Sequence, residues 1–441
     1  MTLTELGLFG CVFLLALLGL SMPVGFAMAL TGLLGFAAVT GSMTGAGHML
    51  MSACLETFSK YDLSVIPLFI FMGQIVFHAG ISKRLYDTAY KWLGRLPGGL
   101  AMATVWACAT FGAICGSGPA TAATMASVAL PEMKRHNYDM LMATGTVAAG
   151  GSLGMLIPPS VVFIVYGVMT KVSPAKLFMA GVLPGVIIAF VFCVYILIVC
   201  ILKPEKGPGG EKFSLAEKIK SLGGVIESLL LFLVVMGGMF VGWFTPTEAA
   251  AVGAGVSLVI AVCRGQFTRK MFSRALLETL RMSCMVLIVI VGASMFGRFL
   301  GITNLPADLA KGLASMQLPE LLTVSIILIV FIIGSCVIDA LALVMLTIPI
   351  LLPVVQKLTW AGNVEQTLIW FGVLLVTVVQ MGVITPPVGV NVYVVSGIAR
   401  DVPLQKIFRG ALPFFWLLVL AAIFLMLVPS ASLWLPQTMT R

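Results

Sequence analysis

Two short stretches of this sequence place oxygen-bearing side chains beside adjacent prolines. SLGMLIPPS covers residues 152–160, and QMGVITPPV covers residues 380–388. A proline inside a helix removes one backbone hydrogen bond and leaves carbonyl oxygens without partners. Carbonyl and hydroxyl oxygens are the ligands that a hard cation prefers, while the N-terminus of a half-helix attracts an anion. Each stretch is therefore a candidate ion site, and the alternative is a plain kink in a helix.

Two further turns supply more oxygen ligands, CGSGPAT at 115–121 and GSCVIDA at 334–340. Asp339 is the most informative residue, because a carboxylate inside an apolar membrane segment is costly and functional by default. Its alternative role is to cap a half-helix, and each hydroxyl could instead bond its own helix backbone. The pattern predicts two cation sites. The first site comprises Gly116, Ser117, Gly151, Ser152 and Pro158, and the second comprises Gly334, Ser335, Asp339, Gly382, Thr385 and Val388.

The composition places these motifs in a polytopic membrane protein. The chain has 441 residues, of which 60% are apolar and 10% are charged, and its mean hydropathy is +1.11. Soluble domains carry about 25% charged residues. The net charge of +9 could indicate a nucleic-acid partner, but the basic residues lie in short loops between spans, which membrane orientation explains. Nine scattered cysteines and three distant histidines predict no metal site and no disulfide framework.

Apolar segments recur along the whole chain, and several are shorter than the roughly 20 residues that cross a bilayer. This mixture predicts an all-α fold with re-entrant hairpins and discontinuous helices. No cleavable signal is expected at the N-terminus. The predicted spans are 6–21, 24–41, 62–82, 98–115, 118–133, 139–170, 177–202, 223–243, 247–263, 282–303, 319–335, 338–355, 366–398 and 410–429.

The two halves of the chain repeat the same order of elements. The proline pairs match each other, SPAKLFMAGVLP (173–184) matches VPLQKIFRGALP (402–413), and CGSGPATAATMASVALP (115–131) matches IGSCVIDALALVMLTIP (333–349). A duplication of this kind predicts two structural repeats. The first repeat, 1–210, contains a surface arm (82–96), a hairpin (98–133) and a broken helix (139–170). The second, 211–441, contains an arm (304–316), a hairpin (319–355) and a broken helix (366–398).

The loop charges predict that the repeats have opposite orientations. In the first half the loop after the third span, 83–95, is basic, whereas in the second half it is the loop after the second span, 264–274. Five crossings per repeat would produce this switch, because basic loops stay in the cytoplasm. Both chain termini are then predicted to be periplasmic.

Two other charged residues lie in or beside the spans. Arg298 could attract an anionic substrate, but a side chain that reaches the nearby membrane interface is the interpretation we favour. Glu248 follows Pro246 at a span start, where a carboxylate favours the helix dipole, and we interpret it as structural.

Taken together, GSGPATAATMASVALPEM, SLGMLIPPS, FTPTEAAAVG and QMGVITPPVGVN resemble the large membrane subunit of tripartite ATP-independent periplasmic (TRAP) transporters, of the DctM/SiaM type. The resemblance covers about residues 5–430. It implies an elevator mechanism of the ion-transporter superfamily, with a transport domain formed by the hairpins and broken helices and a scaffold formed by the other spans. It also implies Na⁺ as the coupling ion, no other cofactor, and a bacterial inner-membrane location.

The resemblance further implies two partners, a small four-span membrane subunit and a periplasmic substrate-binding protein. The small subunit is expected to be a separate polypeptide, because the chain starts with the large subunit's first span. The expected substrates are small organic acids: C4-dicarboxylates, sialic or sugar acids, or keto acids. Ser117, Thr121, Ser335 and Asn391 are the predicted substrate contacts.

Other functions fit less well. A stand-alone secondary anion transporter of the same superfamily is the main alternative. An enzyme is not expected, because CGSGP lacks a histidine in a facing span and Asp339 has no second aspartate at membrane depth. An ATP-driven pump is disfavoured since no GxxxxGK[ST] stretch occurs, and a channel fits a duplicated, broken-helix centre poorly.

Overall fold

The computed structural model describes residues 2–210, 213–315 and 318–439, and these residues form helices joined by turns. Within these described ranges, seven helices or joined helical runs are long and apolar enough to cross a membrane. The helices are α1 (Leu3–Gly19), α2 (Val24–Thr40), α3 (Met43–Ser59), α4 (Val65–His78), α5 (Ile81–Leu93), α6 (Gly99–Cys115), α7 (Gly118–Arg135), α8 (Met140–Ser152), α9 (Val161–Thr170), α10 (Pro174–Leu202), α11 (Leu215–Ser221), α12 (Gly223–Phe232), α13 (Gly238–Val241), α14 (Pro246–Cys263), α15 (Arg269–Thr303), α16 (Leu305–Ser315), α17 (Glu320–Ser335), α18 (Ala340–Val355), α19 (Val364–Gly382), α20 (Val390–Ile398), α21 (Leu404–Leu427) and α22 (Ser430–Thr438).

Hydropathy located the apolar helices well but missed the more polar ones. The predicted loop 42–61 is mostly α3, which Ser42 caps by accepting a hydrogen bond from the Gly45 amide at 3.0 Å. Similarly, α11 lies in the polar segment before the predicted span 223–243, α15 begins within the predicted basic loop 264–274, and α22 follows the last predicted span. Amphipathic helices of this kind carry too many polar residues to appear as spans.

Each half contains one helix at the place of its predicted arm. Segment 43–78 of the first half, which contains α3, a 3₁₀ turn and α4, corresponds in position to the single helix α15 of the second half. An arm follows each of these segments, α5 in the first half and α16 in the second. Met316, at the end of the second predicted arm, and the repeat boundary at residue 211 lie outside the described residues.

The helices pack in two groups. One group contains the helices α1, α2, α4, α14 and α15, in which α2 and α4 both pack along α15 and α14 packs along α4. The other contains the hairpins α6–α7 and α17–α18 with the broken helices α8–α9 and α19–α20. The spans that follow the broken helices, α10 and α21, were predicted in the scaffold. They pack instead against the hairpin group, where they cover the broken helices.

The arm α5 is fixed along α11 and α12 by side chains spaced one turn apart. Arg84 pairs with Glu227, the Thr88 hydroxyl donates to the Ser221 carbonyl at 2.7 Å, and Trp92 donates to the Lys218 carbonyl at 3.2 Å. Residues four apart share one helix face. The arm therefore lies lengthwise along α11 and α12, the first two helices of the second half.

Glu227 also joins the two basic loops. Its carboxylate is buried and pairs with Arg84 of the arm at 3.0 Å and with Arg264, which caps the end of α14. Loops 83–95 and 264–274 therefore lie at the same end of the molecule. This is the placement expected for repeats of opposite orientation, which itself stays a prediction.

The two other charged residues have structural partners. Arg298 donates to Glu56 of α3 at 2.6 Å and to Ser52 at 3.2 Å. The Arg298 guanidinium holds the pKa of the Glu56 carboxyl below its usual range. Glu248 accepts a hydrogen bond from the Thr245 amide at 2.8 Å and completes a capping box at the start of α14.

Candidate functional site

The tips of the two hairpins meet at one cavity of about 270 Å³, which lies between the two helix groups and is called the central cavity below. The first tip contributes Gly116 to Ala120, and the second contributes Asp339 to Leu341. The opposite wall is apolar and comes mainly from Met282, Met285, Val286 and Val289 of α15. The cavity thus lies where the hairpin group faces the other helices.

The first hairpin tip packs directly on the first broken helix. Gly116 has a φ of +65°, and a Cβ there would collide with the Pro159 carbonyl, so only glycine suits this turn. A Cβ on Gly118 would lie 3.5 Å from the Gly151 carbonyl oxygen, and one on Gly154 would lie 3.2 Å from the Ser117 carbonyl oxygen. The structure therefore brings together the hairpin and broken-helix parts of the first predicted cation site.

The second hairpin tip repeats this packing on the second broken helix. A Cβ on Gly382 would overlap the Ser335 carbonyl oxygen, and the Val388 amide donates to the Cys336 carbonyl at 3.2 Å. In the repeat alignment Gly382 matches Gly154, and Ser335 matches Ser117. Both proline pairs, Pro158-Pro159 and Pro386-Pro387, are joined by cis peptide bonds.

Three of the four hydroxyl groups of the two predicted sites bond within their own segments. Ser152 donates to the Ala149 carbonyl at 2.7 Å, Ser335 to the Ile332 carbonyl at 2.9 Å, and Thr385 to the Met381 carbonyl at 2.5 Å. These bonds use the hydroxyl protons and leave oxygen lone pairs available as acceptors. The backbone-bonding alternative and the ligand role are therefore compatible in this geometry.

Asp339 caps a helix and also lines the cavity, so its position is compatible with both alternatives that the sequence left open. Its carboxylate accepts a hydrogen bond from the Leu341 amide at 3.1 Å and so caps α18. The residue is also exposed and lines the central cavity. Among the described residues that line this cavity it is the one that carries a charge.

The predicted substrate contacts separate into two sets. Ser117 lines the cavity, whereas Thr121, Ser335 and Asn391 are buried behind it. Thr121 donates to the Ser117 carbonyl at 2.8 Å, and Asn391 donates to the Ala148 carbonyl at 3.0 Å. Asn391 thereby connects the second broken helix to the first.

One further residue, Gln380, was not predicted for the site. Its side chain is fully buried, and its carbonyl oxygen lies 3.5 Å from the Ser152 hydroxyl. Gln380 and Ser152 hold the same position in the two repeats. This equivalence was the signal available in the sequence, since Ser152 was itself a predicted ligand.

The site contains no arrangement typical of transition-metal binding. In residues 2–210, 213–315 and 318–439, no three His, Cys, Asp or Glu side chains converge. The oxygen-rich tips instead have the chemistry that suits a hard cation.

Comparison with known proteins identifies the family. The sequence model for "Tripartite ATP-independent periplasmic transporter, DctM component" matches residues 11–431. The chain belongs to this family. It is therefore a large permease subunit of a TRAP transporter, a multi-pass membrane protein and not an enzyme.

Individual relatives of this TRAP permease cover nearly the same length. It is 35% identical to the C4-dicarboxylate TRAP transporter large permease protein DctM of Pseudomonas aeruginosa, over 87% of this chain and 88% of the relative. It is 32% identical to the sialic acid TRAP transporter large permease protein SiaM of Vibrio cholerae, over 96% of each. The crystal structure of the Alcanivorax borkumensis YdaH transporter has a similar fold, with a TM-score of 0.62 and 14% identity over 87% of this chain and 89% of that one.

Proposed function

We propose that this permease subunit imports small organic acids by Na⁺-coupled secondary transport. The main support is the shared cavity, onto which two matched hairpin tips open, each packed on a proline-broken helix. Irregular backbone is tolerated at membrane depth where it is enclosed by protein or lines a polar cavity, and transporters use such breaks to bind ions and substrates.

Na⁺ would bind at the two places where a tip meets a break. The first site uses Gly116, Ser117, Gly151, Ser152 and Pro158, and the second uses Gly334, Ser335, Asp339, Gly382, Thr385 and Val388. The hydroxyl lone pairs and the Asp339 carboxylate would face the ion, and Asp339 would supply the full negative charge of the second site.

The substrate class is supported by the relatives, and the charge of the cavity explains why an anionic substrate would need a cation. One relative is named for C4-dicarboxylates and another for sialic acid, and both compounds are carboxylates. The described cavity lining carries Asp339 and no cationic side chain. An organic anion would therefore be repelled unless Na⁺ were bound beside it. This mutual neutralisation gives a physical reason for coupling the two fluxes.

An elevator movement agrees with the packing of the two groups. Among the described residues, no hydrogen bond or ion pair joins α2, α4 or α15 to the hairpins and broken helices. The hairpin group is by contrast joined internally by Lys134–Asp401 at 2.5 Å and Lys176–Glu365 at 2.7 Å. An apolar interface beside a cross-linked group permits sliding of one group as a unit.

The partners and the location are part of the same proposal. The family name describes a tripartite periplasmic system, so we expect a small four-span subunit and a periplasmic binding protein that delivers the substrate. The assembly would lie in the bacterial inner membrane with both termini of this chain in the periplasm.

The test is uptake into proteoliposomes that contain this chain and its small subunit. Radiolabelled succinate, pyruvate and N-acetylneuraminate would be supplied with and without an inward Na⁺ gradient and with and without the binding protein. Uptake that requires both supports the proposal. Uptake by this chain alone would identify a stand-alone anion transporter. Equal uptake with and without the Na⁺ gradient would contradict the proposed coupling.

A further inference from the structure

A second cavity, of about 540 Å³, lies at the opposite end of the molecule from the basic loops. It is bounded by the turn before α4, the loop between α9 and α10, and the start of α14. Both α4 and α14 begin beside this cavity and end at the face where Arg84 and Arg264 meet Glu227. Its volume lies within the range of about 300–1,000 Å³ that is usual for small-molecule sites.

Two lysines from different helix groups line this cavity. Lys60 precedes α4, and Lys171 caps the end of α9 with a φ of +59°. Both are exposed, and within the described ranges neither forms an ion pair. The neighbouring cations Lys176 and Arg298, by contrast, are neutralised by Glu365 and Glu56. The two lysines therefore keep their charge available for a ligand.

The rest of the lining offers hydrogen bonds to an anion. Ser173 caps α10, but its side chain makes no capping bond, and a proline follows it at the first helical position. Thr247 is nine-tenths buried and lines the same cavity. Asp62 is the one carboxylate among the described lining residues. With two lysines opposing it, the lining has a net charge of +1.

We infer that this cavity is a carboxylate-binding vestibule in which Lys60 and Lys171 hold an organic anion before it reaches the hairpin tips. The role in import rests on the proposed function, whereas the anion site itself rests on the cavity and its charges. Lys60 belongs to the group of α4, and Lys171 belongs to the hairpin group. A carboxylate that contacts both would favour the arrangement in which these groups present their lysines to the same cavity.

The experiment measures the charge of the cavity independently of transport. Ser173→Cys would be introduced in the full chain after the exposed Cys263 and Cys284 are replaced by serine. In proteoliposomes, the modification rates by an anionic and a cationic methanethiosulfonate are compared. Two lysines favour the anionic reagent, and we expect Lys60→Gln with Lys171→Gln to lower the rate ratio by about fivefold or more at low salt.

Matched variants separate charge from folding. Lys60→Arg with Lys171→Arg should keep the ratio, and Asp62→Asn should raise it. Lys176→Gln with Glu365→Gln removes a paired lysine together with its partner, changes no net charge, and should leave the ratio unchanged. A ratio that does not respond to the double glutamine variant of Lys60 and Lys171, or that falls equally when the Lys176–Glu365 pair is removed, would overturn the inference.

Binding is then tested by protection. Succinate, pyruvate and N-acetylneuraminate, each at millimolar concentration, should slow the modification of the thiol introduced by Ser173→Cys when both lysines are present, and not in the double glutamine variant. Protection by none of the three acids would reject a carboxylate site. If protection and the charge effect persist while uptake fails, the vestibule stands and the proposed transport function falls. Na⁺-driven uptake with an unchanged KM in the double glutamine variant would reject the role of the vestibule in import.

Discussion

At the scale of single residues, Asp339 is a helix cap that also faces the central cavity. A second aspartate, Asp139, serves as a control because it caps α8 in the same way. Its carboxylate lies 3.0 Å from the Leu141 amide. Asp139 does not line the cavity. Because asparagine and aspartate cap helices about equally well, an Asn substitution removes the charge and keeps the cap at both positions.

We therefore predict that Asp339→Asn raises the Na⁺ concentration needed for half-maximal uptake by about tenfold or more. A loss of this size is expected when one charged ligand becomes neutral. Asp139→Asn should change this Na⁺ concentration by no more than about twofold. The measurement is the Na⁺ concentration that gives half-maximal uptake, with the amount of protein in the membrane checked for each variant. An unchanged Na⁺ dependence in Asp339→Asn would remove this residue from the cation site.

Gly382 gives a second test at the same scale. A methyl group there would overlap the Ser335 carbonyl, whereas a methyl group on Gly397, in α20 of the same broken helix, would meet no atom within 4 Å. We predict that Gly382→Ala separates the tip from the break, costs about 1–3 kcal/mol and strongly reduces uptake. Gly397→Ala should be active, and equal activity of the two variants would show that this close approach is dispensable.

At the scale of elements, the arm α5 depends on one buried carboxylate. Glu227 pairs with Arg84 and Arg264, whereas Glu132 pairs at the surface with the exposed Arg135. Removing one partner of a buried ion pair costs about 3–5 kcal/mol, while a surface pair contributes about 0–1 kcal/mol.

Glu227→Gln is therefore expected to lower the thermal unfolding temperature by several degrees, and Glu132→Gln to change it little. The melting temperature of the purified protein in detergent is the measurement. The combined variant Arg84→Gln with Glu227→Gln should lower the melting temperature by less than the sum of the two single variants, because the two residues share one interaction. Additive losses would mean that the arm is held mainly by its other contacts.

At the scale of the whole molecule, the two basic loops share one end and the vestibule lies at the other. Lys83→Cys and Lys270→Cys, both at exposed positions, should resist an impermeant thiol reagent in right-side-out vesicles until the membrane is permeabilised. Ser173→Cys should react directly. Labelling of Lys83→Cys and Lys270→Cys from opposite sides would contradict both the fold and the predicted inversion of the repeats.

The sequence by itself determined the membrane class, the repeat and the motifs at both tips. These properties depend on composition and local pattern: apolar runs mark spans, and paired prolines break helices wherever they occur. It also indicated the family through motifs spread along the whole chain. Amphipathic helices such as α3 were missed, since a mixed segment has no strong signal at the scale of a span.

Only the tertiary structure decided which residues meet across the repeats. Gln380 faces Ser152, Asn391 reaches the Ala148 carbonyl, and Arg298 finds Glu56. These contacts join residues more than two hundred positions apart, so they depend on how whole helices pack and not on any local pattern. The same reason explains why α10 and α21 cover the broken helices and why Lys60 and Lys171 line one cavity.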